Sequence, residues 1–173
     1  MNQTVDVLIC VDVDYIINDY NKLGTNPDNP TLVDNKYFHY ITNNENADVP
    51  KDNATGGLIV KMGVDDTIRW RVISLTQQLI HSVNLYKKTK ENSYKAIAPL
   101  KYTQEATKVA YPEQDNNQLP GTPFKYGIES ITQSYMESKG KKSGKEKLTF
   151  IISIHYNLEL IGYISHSSFV HVL

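Results

Sequence analysis

The side chains best placed to do chemistry lie where the apolar run Leu8-Ile9-Cys10-Val11 gives way to Asp12-Val13-Asp14. Two aspartates so spaced suit phosphoryl transfer, one attacking phosphorus and the other acting as acid and base, with Asp65-Asp66 as magnesium ligands. That chemistry needs the carboxyl ends of a parallel sheet built from strand-helix units, and the rest of the chain supplies no such units. Calcium is the second reading, because the carboxylates and the amide between Asp12 and Asp19 are oxygen ligands. Ile17, however, stands where an EF-hand needs its turn glycine, and Leu23 where it needs its bidentate glutamate. The segment is expected to be a surface loop leaving a strand. His39, His81, His155, His166 and His171 show no i, i+4 pair and no cysteine at zinc spacing, so they read as strand-surface residues. There is no Gly-x-Ser-x-Gly elbow and no glycine-rich phosphate loop. Cys10, the single cysteine, has apolar neighbours and reads as a buried thiol. The residues thus assign no catalytic set, no metal and no cofactor, and leave binding and assembly as the expected work.

The elements that must position any site are strands. Val5 to Val11 is continuously apolar after its start, as a central strand covered on both sides would be. Tyr20 to Pro30 collects Asn, Gly, Asp and two prolines and reads as a loop. Lys36 to Ile41 and Gly57 to Met62 are strand candidates, with turn chemistry between Asn43 and Gly57 and again at Gly63 to Asp66. Thr67 to Ile73 alternates, with Ile68, Trp70 and Val72 facing the core and Thr67, Arg69 and Arg71 facing away. Trp70 is read as core, with a stacking platform for a ligand as the alternative. After the break at Thr76-Gln77-Gln78, Leu79 to Tyr86 reads as the hairpin partner of that strand. Between Lys87 and Pro123, punctuated by Pro99, Pro112 and Pro120, loops and one strand near Tyr102 to Tyr111 are expected. Lys125 to Met136 and Lys147 to Tyr156 flank a solvated Lys139 to Lys145 tip, and Glu129 to Lys139 is a diluted helix candidate. Leu160 to Leu173 closes the described pattern as one or two strands. Short strands with turn signals between them predict an all-β fold: a single domain over residues 1–173, an antiparallel β-sandwich, jelly-roll or immunoglobulin-like, with long loops and little helix.

At 173 residues the chain is long enough to bury a core without staples. Eighteen basic against nineteen acidic side chains give a formal net charge of -1, with no basic surplus to attract nucleic acid or an acidic membrane. No apolar stretch approaches a membrane span, and the first residues lack a secretory signal's basic start and apolar region, so the expected location is the cytoplasm.

Several segments, in order, resemble the PixA/AidA inclusion-body protein family of bacteria. They are Asp6-Val7-Leu8-Ile9-Cys10-Val11-Asp12, the stretch from Asn26-Pro27 through Pro30-Thr31-Leu32-Val33-Asp34 to Tyr37, Asp65-Asp66-Thr67-Ile68-Arg69-Trp70-Arg71 with Ser74-Leu75, and Gly162-Tyr163-Ile164-Ser165. The resemblance implies a compact β-sandwich in the cytoplasm, abundant in late growth, able to pack into inclusion bodies and without enzymatic activity. Only three methionines are present, so methionine storage is not implied here. The resemblance also implies a lectin-like role in some relatives, without a binding set to carry over.

The expected function is that of a lectin-like module that binds a neutral monosaccharide or its glycoside and self-assembles, the alternative being a purely structural or storage protein that forms ordered intracellular inclusions. A sugar's hydroxyls call for planar polar side chains and its apolar face for an aromatic ring. Asp34, Tyr37 and His39, following the proline-ordered loop from Asn26, offer such groups, and so do Arg69 and Arg71. The alternative for the loop is a connector whose Asn and Asp residues cap their own turns. Exposed sheet edges, near-zero charge and twelve tyrosines further predict a closed homo-oligomer, with no nucleic acid and no membrane partner.

Overall fold

The computed structural model of the chain describes residues 2–43, 58–76, 80–88, 94–112 and 125–173. The turn chemistry of residues 44–57, the break at Gln77-Gln78, and Pro120 lie outside them. In chain order the described strands are β1 (Thr4–Val11), β2 (Thr31–Leu32), β3 (Phe38–Thr42), β4 (Ile59–Met62) and β5 (Thr67–Ser74). They continue with β6 (His81–Lys88), β7 (Lys101–Pro112), β8 (Tyr126–Lys139), β9 (Gly144–Tyr156) and β10 (Glu159–Val172). A helix, α1 (Val13–Asp19), follows β1, and a 3-10 turn at Asn35–Tyr37 precedes β3.

The strands form two sheets. One runs β3-β1-β5-β8-β7; the other runs β2-β10-β9-β6, with β4 also pairing β10. The all-β sandwich expected from the alternation is the fold. Its core is built from inward residues of both sheets: Val5, Val7, Ile9, Val11, Phe38, Ile68 and Trp70 on one side, Phe150, Ile152, Ile154, Ile164 and Val170 on the other. Trp70 is 0% exposed and its ring lies 5.3 Å from that of Phe150, so it joins the sheets and is no ligand platform. β1 is central, between β3 and β5.

Four expectations need correction. The pairing is mixed, not wholly antiparallel: β1 and β5, β10 and β2, and β10 and β4 run parallel. The long connection that the parallel pair β1 and β5 requires runs through α1 and β3 and through β2 and β4, which cross to the other sheet, and not through a single crossover helix. β5 and β6 are not a hairpin, since β5 pairs β1 and β8 while β6 pairs β9. Alternation fixes which side of a strand faces the core but not its neighbour, and the apolar sides of these two strands oppose one another across the core. Ser74 Oγ, donating to the His81 carbonyl at 2.5 Å, ties the crossing chain together. The Asp12 to Asp19 segment is not a loop, because Val13 and Ile16, three residues apart, bury one side of a short helix. Glu129 to Lys139 belongs to β8, whose β-branched and aromatic residues favour a strand.

Candidate functional site

The five residues singled out by type occupy two places. Asp34 caps the 3-10 turn and is exposed, and its backbone N–H donates to Tyr20 Oη at 3.2 Å. Tyr37 is 5% exposed, and its hydroxyl donates to Asp19 Oδ2. That bond is the chief reason the Asp19 carboxyl lies below the usual carboxylate range. Strand alternation then turns Phe38 inward and His39 outward, opposite Cys10. The three residues are close in sequence but face different ways.

His39 shares the outer side of its sheet with Arg69 and Arg71, the rows being His39, Cys10, Ile73 and Ile41, Leu8, Arg71. The two arginines do meet at one ring. Their guanidinium carbons lie 4.9 Å and 5.3 Å from the Tyr135 centroid, within cation–π range. Arg69 also pairs with Glu137 at 3.7 Å and Arg71 with Asp6 at 3.5 Å. Tyr135 is buried beneath them and donates to Glu105 Oε2 at 3.2 Å. This charge array is internally neutralised, and each arginine already has a carboxylate and a ring.

Ahead of Asp34, residues Lys22 to Thr31 enclose a shallow hollow of about 480 Å³. Its amides are partly engaged: Asn26 Oδ1 accepts the Asp28 N–H at 2.9 Å, and the Asn26 carbonyl accepts the Asn29 N–H at 3.0 Å. Gly24 is required there, since a Cβ on it would meet the Asn29 carbonyl oxygen at 2.5 Å.

A second cavity comes from residues that sequence reasoning passed over. β8 pairs β5 only from Met136 to Lys139 and then diverges, opening a cleft of about 240 Å³ between the sheets. Val72, Val83 and Leu85 give it apolar walls, and Asn84, Tyr102, Thr132 and Ser134 add an amide and hydroxyls. Tyr102 Oη donates to Ser134 Oγ at 2.9 Å, and Gln104 Nε2 donates to Tyr102 Oη at 3.1 Å. A signal was present: along the core-facing side of β8, Met136 gives way to Ser134 and Thr132, a switch from apolar to polar at period two.

His166 was read as a strand-surface residue, but it is 1% exposed inside the sandwich. Its ring stacks on Phe38 with centroids 3.9 Å apart, and Nε2 lies 2.8 Å from Tyr40 Oη and 3.2 Å from Ser168 Oγ. Burial pushes the imidazole down to about 3 and the Tyr40 hydroxyl up to about 12. Elsewhere, Asp66, one of the imagined magnesium ligands, accepts the Gln3 N–H at 2.8 Å and the Gly63 N–H at 2.7 Å, so it closes its own turn. Asp14 Oδ1 lies 2.8 Å from His81 Nδ1. Among the described residues no group of three or more His, Cys, Asp or Glu is arranged to hold a metal. None of the described helices is long and apolar enough to cross a membrane.

The crystal structure of an inclusion body protein (PixA) from Burkholderia cenocepacia has the same fold, with a TM-score of 0.76 over 99% of this chain and 97% of that one. The two sequences are 17% identical, so the likeness bears on the fold alone. No curated protein matches the chain. The sequence model of the PixA family, described as inclusion body protein, matches residues 3–172, and the chain belongs to that family.

Proposed function

We propose that this protein is a non-enzymatic constituent of cytoplasmic inclusion bodies whose work is ordered self-association. The observation that carries the reading is a nearly neutral molecule, net charge -1, with large apolar side chains left in solvent. Tyr126, Ile128, Leu32 and Leu158 are 67%, 74%, 78% and 91% exposed. Near-neutrality removes long-range repulsion between copies, and aromatic side chains are enriched where proteins meet. Membership of a family described by its inclusion bodies supports the same reading. Light scattering across a concentration series, with microscopy of expressing cells, tests it. Association and discrete bodies are expected; a monomer up to roughly 100 μM, a concentration at which even weak specific contacts form, spread evenly through the cell, overturns it.

A second reading, lectin-like binding of a neutral monosaccharide or glycoside, is favoured by the cleft beside β5, β6 and β8. Its lining carries hydroxyls, an amide and apolar walls but no charged side chain, which suits an uncharged polyol. A glycan array followed by variants tests it. Binding lost in Ser134→Trp and kept in Asp34→Ala supports the cleft; the reverse moves the site to the loop ahead of His39; no saturable sugar signal ends the reading.

A further inference from the structure

We infer that copies of this chain join head to tail in an open array, the end of the sandwich that carries the Asn157-Leu158 turn packing against the lysine-rich end of the next copy. The inference rests on the self-association proposed above and names its two surfaces.

The first end is where β1, β5 and β9 finish and β6 begins. The Leu75 N–H donates to the Val11 carbonyl at 2.9 Å, Asp14 Oδ1 lies 2.8 Å from His81 Nδ1, and His81 stands opposite Tyr156. These contacts gather Tyr15, Leu75, Ile80, Tyr156 and Leu158, all exposed, at one end of the molecule. Leu158 is the sharpest case. The two-residue turn between Tyr156 and Glu159 has φ 45° at Asn157 and 71° at Leu158, a left-handed pair whose second place ordinarily takes glycine. The turn therefore holds a large apolar side chain on a strained backbone while Leu158 is 91% exposed, an outlier that points to a contact outside the chain. Carboxylates flank the patch: Asp12 and Asp14 at the start of α1, Asp34 across from its end, and Glu159 on the turn. Of the neighbouring lysines, Lys22 and Lys36, the second is already paired with Asp19.

The opposite end is where β4, β8 and β10 finish and β5 and β9 begin. There the Asp65 N–H donates to the Gly140 carbonyl at 3.0 Å, the Lys141 N–H to the Ala96 carbonyl at 2.8 Å, and the Leu173 N–H to the Met62 carbonyl at 2.8 Å. Lys95, Lys141, Lys142 and Lys145 are exposed and pair with no carboxylate among the described residues, whereas Lys139 lies 3.0 Å from Asp65. Val64 and Leu173 leave apolar surface at the same end.

The molecule is thus nearly neutral as a whole but opposite in sign at its two ends. Like ends repel, while unlike ends put carboxylates on free lysines and Leu158 on the apolar surface between them. Two different patches make a heterologous contact, which repeats from copy to copy as a filament unless its rotation closes a ring.

Sedimentation of the full chain tests this with one variant per end. Leu158→Gly/Glu159→Lys removes the apolar knob and reverses a charge, and glycine suits the turn, so its melting temperature is expected not to fall. Lys141→Glu/Lys142→Glu disables the other end. Each variant alone is expected to associate roughly ten-fold or more weakly than the parent, and their equimolar mixture to form dimers, because each keeps the end the other lacks. The parent's average mass is expected to rise with concentration without a plateau, and to fall as salt is raised from about 50 to about 500 mM. If the parent associates but either variant does so equally well, or the folded variants give no mixed dimer, the end-to-end contact is wrong while self-association stands. A parent that plateaus as a closed dimer, or that ignores salt, overturns the contact in the same way, even if a variant fails to fold. A parent that stays monomeric to roughly 100 μM overturns both the contact and the reading beneath it.

Discussion

Acidification should weaken this fold through one residue, and the window can be worked out from His166. The ring sits between the sheets against Phe38, and its Nδ1 has no hydrogen-bond partner among the described residues, so a second proton would be buried without an acceptor. Its pKa falls from the ordinary 6.5 to about 3 on folding. Below pH 6.5 the unfolded chain therefore binds a proton that the folded one refuses. The stabilisation is complete above the unfolded value, is lost as pH falls, and stops changing once the folded value is passed. Each pH unit in that window costs about 1.4 kcal/mol, so about 2 kcal/mol is gone near pH 5, a sizeable part of a domain's usual ~5–15 kcal/mol. Urea midpoints for the parent and for His166→Gln, measured between about pH 7.5 and about pH 4.5, isolate this contribution, because most carboxylates titrate lower. The parent should lose stability steeply through the window, and the variant, whatever its starting stability, should follow a flatter line. Parallel lines, or an NMR titration of the His166 ring in the folded protein with a midpoint near 6, as for an ordinary exposed histidine, would refute the reasoning.

Trp70→Ala should cost about 3–5 kcal/mol, read by circular dichroism melting, because the ring fills the interface with Phe150. The same burial should leave the fluorescence of the parent's only tryptophan weakly quenched by iodide. Glu146 is 3% exposed, and Oε2 accepts the Lys95 and Ala96 N–H groups at 2.8 Å and 2.9 Å. Glu146→Ala should therefore cost about 1–3 kcal/mol per orphaned donor and Glu146→Gln, which keeps a carbonyl oxygen, markedly less; equal melting temperatures for the two would count against the account. Burial pushes the Cys10 thiol up, so a thiol reagent should label the native protein slowly and the urea-unfolded protein fast; equal rates would show an open site.

How far the sequence reveals this molecule follows from what each pattern encodes. The alternation in Thr67 to Ile73 separates Ile68 and Trp70 from Arg69 and Arg71, and the structure keeps that division. Nothing in the same pattern states that β5 lies parallel to β1, because that pairing depends on two segments far apart in the chain. Helix α1 was hidden by its aspartates, although Val13 and Ile16 already carried the helical spacing. Asp34, Tyr37 and His39 looked like a site because they are neighbours in sequence, yet the turn and the strand after it aim them apart. The cleft is the opposite case, drawing Val72, Asn84, Tyr102 and Ser134 from four strands. His166 differs again, since a histidine on an alternating strand carries no mark of which side faces the core.

The placement of β10 has a consequence for how the chain is made. It receives β9 along one edge and, end to end along the other, β2 and β4, both synthesised long before it. On a ribosome, those two early strands wait for most of translation before their partner emerges. Pairings between distant segments form slowly, and strands awaiting a partner expose edges that can join other chains. Completion of one sheet is thus postponed to the arrival of β10, and a nascent chain stalled before Gly162 would hold β2, β4 and β9 without the strand that joins them.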